Sequence, residues 1–484
     1  MLPEEPSRQQ LRAEVRELRA AVRELRSCVE RLEKQLAARD RIIAERDRRI
    51  AELEMLLAAA LRRSKRQSAP FSRGKAKEAP RKAGRKGGAL YGKQTVRAKA
   101  KQVDERIVVQ CLLQCPRCHG PVRLTGDVAF QQQIDIPRTT FRTTEFEIQL
   151  GVCTVCGLPV QGRHPKQTSD AVGVGNVQLG PAVLATTAEL NKTGGLSYGK
   201  IATFFSRMFG LKVSRSGLAR ALCRLAAKAE PTYEAIAQKI RASPEVYPDE
   251  TGWRINARPA WLWVATNKRQ TLYDIQRGRG YEEACKLLGA DFSGVIGSDG
   301  WAPYRRFARA QRQACLSHLL RRCNELLSVL RGSSRELATE VRNILRDALL
   351  LRDLLLEGAF QRAEVQEERR ILEASLDALL DRRYRHVENR RLAKHLANLR
   401  TDLFRFLDRP QIEATNWPAE QAIRPAVVNR KMSGGGNRTE TGARTQSVLM
   451  SLLRTGHQLG ISVADAFTEI LRSPHPVALS AFLR

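Results

Sequence analysis

The chain has 484 residues, of which 83 are Lys or Arg and 51 are Asp or Glu, giving a formal charge of +32. That length allows two or three domains with cores of their own and excludes a small stapled scaffold. The basic excess points to a polyanionic partner, with nucleic acid ahead of an anionic membrane surface. No apolar run approaches the roughly 20 residues that a bilayer span needs. The opening MLPEEPSRQQ has no apolar signal core, so a cytoplasmic, nucleoid-associated protein without membrane contact is expected.

Residues 7–60 read as a coiled coil. One seam carries Val15, Val22, Val29, Leu36, Ile43, Ile50 and Leu57, and the other Leu11, Leu18, Leu25, Leu32 and Leu53. β-Branched residues on the first seam and Leu on the second favour two parallel strands, so self-association is expected. Arg39 and Arg46 interrupt the second seam and weaken it. Residues 61–104 then lose periodicity. The stretch from Leu61 to Lys101 holds 15 Lys or Arg and one acid, Glu78, among Gly, Pro and Ser, which predicts a flexible linker lying along phosphates.

Residues 105–168 hold two Cys-x-x-Cys pairs, Cys115 with Cys118 and Cys153 with Cys156. Four thiolates of this spacing are expected to close around a structural Zn2+, leaving no open position for chemistry. Apolar and polar residues alternate between the pairs, predicting hairpin strands and hence a zinc ribbon. Cys111 and His119 are bystanders in this reading.

Residues 175–232 read as helices. An amphipathic helix from Ser197, a turn at Gly210–Val213 and a second helix capped by Ser214 have helix-turn-helix spacing. Arg215, Arg220 and Arg224 on the second helix are then candidates for DNA contact, although plain helical hairpins share the pattern.

The catalytic chemistry is expected in residues 240–435. Two β-rich runs in EVYPDETGWRINARPAWLWVATNKRQ flank a polar turn, TLYDIQ adds a third strand, a helix follows near 281–288, and GVIGSDG supplies another strand ending at Asp299. Asp249 lies in the first run. Glu420 lies in a later helix, ATNWPAEQAIRP, with Asn416 near its N-cap and Pro418 in its first turn. Three converging carboxylates repel one another unless cations neutralise them, and hard oxygen ligands select Mg2+ or Mn2+. Asp249, Asp299 and Glu420 are therefore the candidate catalytic and magnesium-binding residues, suited to two-metal chemistry at a phosphodiester. Arg424, Arg430 and Lys431 are expected to meet the DNA backbone. Glu250 would face the other side of its strand. The fold class expected is multidomain α+β: the coiled coil, the ribbon, a helical DNA-binding region, and an α/β catalytic domain.

The stretches PDETGW, SDGWAPYRRF, CLSHLLRR, NWPAEQAIRPAVVNRK and GRHPKQTSDAVG occur in an order that resembles transposases of the insertion sequence 66 family. That resemblance implies a ribonuclease-H-like catalytic domain with Asp249, Asp299 and Glu420 as its triad of acids. It implies DNA as partner, both element ends and target, and accessory proteins of the same element. Cys315 and His318 match a Cys-x-x-His element of such transposases, with metal binding and packing both open; Asn416 is a further auxiliary candidate. The long interval from Asp299 to Glu420 departs from a compact domain of this type. Leu and Arg in helical periodicity over about 325–405 predict a helical insertion that fills it, and residues 440–484 read as a helical tail.

Two rival functions fit parts of this pattern: a dimeric zinc-containing DNA-binding regulator without catalysis, and a metal-dependent nuclease that cleaves without strand transfer. SGGGNR at 433–438 lacks the Gly-Lys-Ser/Thr ending of a phosphate loop, which excludes that form of nucleotide binding.

Overall fold

The computed structural model describes residues 102–114, 116–123, 125, 131–133, 141–172, 177–433 and 436–483. The coiled coil expected at 7–60 and the basic linker up to residue 101 lie outside the described residues. So do Cys115 and much of the segment between the two cysteine pairs. The chain divides into two compact units, Glu45–Thr140 and the rest. Within the first, a bridge pairs Gln114 with Pro121, and Val122 donates its N–H to the Leu113 carbonyl around Cys118.

In the second unit, β1 (Leu150–Val152) and β2 (Pro159–Gln161) pair antiparallel around Cys153 and Cys156. The Cys153 N–H donates to Leu158 and its carbonyl accepts from Gly157, closing a tight knuckle. This hairpin flanks the second cysteine pair and is not the one expected between the two pairs: residues 141–149 form no strand, and much of the rest of that segment lies outside the described residues.

Helix α1 (Pro181–Ala188) is followed by α2 (Tyr198–Phe209) and α3 (Arg215–Arg241). The caps match the sequence reading: Ser197 accepts from the Lys200 N–H and Ser214 from the Gly217 N–H. Unlike a short recognition helix, α3 runs on through Pro231. Pro costs an interior helix about 3 kcal/mol. Leu222, Leu225, Ala229, Tyr233, Ile236 and Ile240 on both sides of it are all buried in one core, which offsets that cost.

A five-stranded sheet follows, built from β3 (Glu245–Ile255), β4 (Arg258–Thr266), β5 (Thr271–Gln276), β6 (Val295–Ser298) and β7 (Gln311–Ala314). Its order is β5-β4-β3-β6-β7. The first three strands form an antiparallel meander, and β6 and β7 run parallel to β3. Asn256 and Ala257 join β3 to β4 with φ of 49° and 61°, the left-handed pair that a two-residue hairpin demands. Helix α4 (Tyr281–Leu288) makes the crossover from β5 to β6.

From β7 the chain enters α5 (Leu316–Val329), α6 (Glu336–Leu356), α7 (Arg362–Leu380), α8 (Val387–Leu399) and the short α9 (Arg405–Asp408). The periodicity predicts a helical insertion over about 325–405; the helices here run from Leu316 to Asp408. The insertion has its own core, in which Leu345, Val365, Leu376, Leu396 and Phe406 are fully buried, and it meets the sheet at Val295 and Ala314. The chain then returns through α10 (Trp417–Ser433), α11 (Glu440–Leu459) and α12 (Val463–Arg472).

Strand parity distributes the helices. Odd-numbered Tyr247, Trp253 and Ile255 of β3 pack with Ala419, Ala422, Ile423 and Ala426 of α10. Even-numbered Val246 packs on the opposite face with residues of α3, α4 and α12. The tail is therefore part of the cores packed on the sheet. Helix α11 also closes the β5 edge: Ser447, Ser451 and Thr455 accept from the N–H groups of Ile275, Tyr273 and Thr271 at 3.1, 2.8 and 3.0 Å. Four helical residues rise about 6 Å and two strand residues about 6.7 Å, so a hydroxyl every fourth residue matches an outward N–H every second one. An edge that would otherwise recruit another strand is thereby satisfied.

Candidate active site

The acids are brought together by register. Glu245 pairs with Val295 and Val246 with Ile296 across the parallel β3–β6 pair. Extending that register by three steps brings Asp249, midway along β3, level with Asp299, which lies just past the carboxyl end of β6, where open α/β sheets bind their ligands. Asp299 comes just after β6 and is exposed, and Gly300, with φ of 87°, turns the chain away behind it. Asp299 Oδ1 accepts from the Trp301 N–H at 3.0 Å, which orients the carboxylate.

Asp249 is odd-numbered and so shares its face of β3 with α10. The three alanines on the buried side of α10, each at 0 % exposure, let this helix lie close to the sheet. Glu420 follows Ala419 on that helix. The Glu420 N–H donates to the Asn416 carbonyl, and the Asn416 side chain donates to the Pro248 carbonyl at 3.0 Å, so the start of α10 is tied to the residue before Asp249.

The neighbouring acids also act on the Asp249 carboxyl. Burial is the largest influence on the Asp249 carboxyl and raises it from 3.8 to about 7; the Glu250 N–H acts against the rise, while the charges of Glu250, Asp299 and Glu420 add to it. A cation among these carboxylates would remove that penalty. Glu420 Oε1 is buried without a hydrogen-bond partner, as is Asn416 Oδ1. Oxygen donors, mutual repulsion and an orphaned acceptor fit a hard divalent ion.

Glu250 faces the other way, as its parity requires. Its side chain is 4 % exposed and pairs with Arg279 at 2.6 Å, and Tyr304 donates to it at 3.2 Å. The Arg279 guanidinium lies 4.7 Å from the rings of both Trp261 and Trp301. Trp253 and Trp263 are buried, in keeping with packing roles.

Cys315 caps α5 and His318 lies one turn on. The Cys315 N–H donates to the Ser298 carbonyl at 2.7 Å, and its Sγ accepts from the Asn416 N–H at 3.0 Å. This residue therefore links the strand before Asp299 to the helix that carries Glu420. Burial alone would raise the Cys315 thiol, yet hydrogen bonds from His318, Ser317 and the Asn416 backbone bring it below its ordinary value. From the insertion, Leu399 of α8 packs against Gly300 beside Asp299, so α8 borders the same cleft, and burial lowers the imidazole of its His395 below the ordinary value, with the charges of Arg305 and Arg322 adding to the drop.

The basic candidates separate into groups. Arg215, Arg220 and Arg224 are exposed on α3, with Arg224 3.5 Å from Gln178. Arg424 is exposed on α10. Arg430 instead turns inward, donating to Thr251 Oγ1 at 3.0 Å and to the Gly252 carbonyl. It fastens α10 to β3, so its guanidinium is committed within the protein; the side chain of Lys431 lies outside the described residues. Trp417, at 61 % exposure, is a residue that the sequence reading does not single out. On a helical wheel Trp417, Glu420 and Arg424 fall along one stripe. The signal was present in their spacing of three and four.

The family model described as Transposase IS66 family matches residues 176–445, more than half of the chain. The chain belongs to the IS66 transposase family. The match begins just before α1 and ends within α11, so it takes in the helix-turn-helix-like region, the sheet, the insertion and all three acids. No curated protein matches the sequence. Among the described residues no helix is long and apolar enough to cross a membrane.

Proposed function

We propose that this IS66-family transposase cleaves the phosphodiester at each end of its element and joins the freed 3′ ends to target DNA, with Asp249, Asp299 and Glu420 as its catalytic acids. The observation that carries the reading is the register that sets Asp249 opposite Asp299 on the face covered by the Glu420 helix. The sheet order, three antiparallel strands followed by two parallel ones, supports the ribonuclease-H-like assignment. Bound Mg2+ or Mn2+ held by the three carboxylates would supply activation of the attacking oxygen and stabilisation of the leaving one. Asn416 and Cys315 hold the Glu420 helix in register with the two strands. Arg424 offers a phosphate contact beside Glu420, and Trp417 offers a stacking face on the same stripe. Arg215 and Arg220 extend the basic surface along α3.

The test uses labelled element ends with full-length protein and Mg2+, comparing wild type with Asp249→Asn and Glu420→Gln. Cleavage and strand transfer are expected to fall by at least about a thousandfold in both variants while end binding survives, since removing one catalytic group of this kind costs several kcal/mol. Full activity in either variant would overturn the assignment. Cleaved ends that never join target would instead identify a nuclease, and binding by wild type without cleavage a regulator.

A further inference from the structure

Cys315 and His318 lie beside Glu420, and the three side chains offer a different donor set from that of the carboxylates. His318 Nδ1 is 3.2 Å from Cys315 Sγ and 3.9 Å from Glu420 Oε1. One ligand atom from each residue lies within 4.8 Å of the others. Around a tetrahedral zinc, with Zn–S near 2.3 Å and Zn–N or Zn–O near 2.1 Å, ligand atoms stand roughly 3.4–3.6 Å apart. The two measured separations bracket that span, so small side-chain rotations suffice. The backbone N–H of Asn416 donates to the sulfur and holds it in place, the kind of outer support that orients metal ligands. Glu420 Oε1, buried and without a hydrogen-bond donor, faces His318 and can serve as the third ligand.

We infer that Cys315, His318 and Glu420 form a second, thiophilic metal site, and that zinc held there withdraws Glu420 from the magnesium centre. Thiolate and imidazole select zinc or cobalt over magnesium. Glu420 cannot serve both sites in full, so zinc is a reversible inhibitor built on the catalytic residue itself. The inhibitory half of this inference rests on the proposed role of Glu420; the binding half does not.

The experiment titrates Co2+ into full-length protein from which exchangeable zinc has been dialysed away, and compares wild type with Cys315→Ser. Subtraction removes signals from Cys153, Cys156 and the other thiols common to both. Wild type is expected to bind an additional equivalent with a thiolate-to-cobalt charge-transfer band that Cys315→Ser lacks, and Zn2+ should abolish that band. His318→Ala and Glu420→Gln should each bind at least about tenfold more weakly. Identical spectra for folded wild type and Cys315→Ser would overturn the site. The buried Cys315→Ser variant can fail to fold; His318, whose side chain is 35 % exposed, then decides, and unchanged cobalt affinity in His318→Ala overturns the site equally. Unchanged affinity in Glu420→Gln would overturn the sharing of Glu420. In cleavage assays, His318→Ala, normalised to its own zinc-free rate, should need at least about tenfold more Zn2+ for half inhibition. None of these outcomes depends on loss of cleavage in Asp249→Asn, so the zinc site and the transposase reading fail separately.

Discussion

Asp249 should weaken the fold when divalent cations are absent, and Asp249→Asn should relieve that weakness as pH rises. Burial, together with the neighbouring acids, lifts its carboxyl from 3.8 to about 7. Some three pKa units at 1.36 kcal/mol each give an upper bound of about 4 kcal/mol. Below both pKa values the group is protonated in folded and unfolded chains alike and contributes nothing. Between the two values the unfolded chain releases a proton that the folded chain keeps, so stability falls with rising pH; above about 7 the loss is complete. From pH 5.5 to 8.5 only the part below about 7 counts, roughly 1.5 units or ~2 kcal/mol. Urea unfolding in magnesium-free buffer measures this, and the five tryptophans, at 253, 261, 263, 301 and 417, all report on the catalytic region. The stability difference between Asp249→Asn and wild type should grow by ~2 kcal/mol across that range in favour of the variant. Mg2+ at about a hundred times its dissociation constant should then stabilise wild type by about 2.7 kcal/mol and the variant by less. A difference that stays constant with pH within about 0.5 kcal/mol would refute the argument, because Asp249 would not be holding a proton.

Arg424→Ala should weaken DNA binding evenly across sequences and lower the salt slope by about one, as loss of one phosphate contact does; an unchanged slope would remove it from the interface. Arg430→Ala should leave that slope unchanged and instead lower the urea midpoint, since its guanidinium bonds Thr251 and Gly252. Ser451→Ala strands the buried Tyr273 N–H without an acceptor and should cost about 1–3 kcal/mol in urea unfolding, and a cost under about 0.5 kcal/mol would mean that water replaces the hydroxyl.

The elements of the catalytic region were legible because each carries a local signal. The alternation across 245–276, the Leu and Arg period through the insertion and the serine caps at 197 and 214 each reflect one residue's preference for one backbone shape. What the sequence withheld depends on pairing at a distance. Nothing near Asp249 states that it stands opposite Asp299; that follows from the pairing of Glu245 with Val295. Arg430 looks like any exposed cation on a helix until β3 is packed beneath it. Pro231 reads as a break, yet a helix buried on both sides of it continues through. The hydroxyls at 447, 451 and 455 had a visible period of four, but their meaning requires the β5 edge beside them.

The insertion raises the question of how a whole helical lobe can separate Asp299 from Glu420 without disturbing their geometry. The hydrogen bonds at its neck supply the answer. The chain leaves the sheet at Leu316, whose N–H donates to the carbonyl of Ala414, where the chain returns. One residue earlier Cys315 bonds to Ser298, and two residues after Ala414 the Asn416 N–H bonds to Cys315 and its side chain to Pro248. Entry and exit are therefore closed on each other and on β3 and β6 at the very start of α5. Closure entropy grows only slowly with loop length, about 0.6 kcal/mol per doubling, so a long excursion with a core of its own adds little to the cost of holding the neck. The position of Glu420 is accordingly set by the neck, while the lobe is free to supply the cleft wall that carries His395. The same neck holds Cys315 against the Glu420 helix, which is why a thiol lies within reach of the Glu420 carboxylate at all.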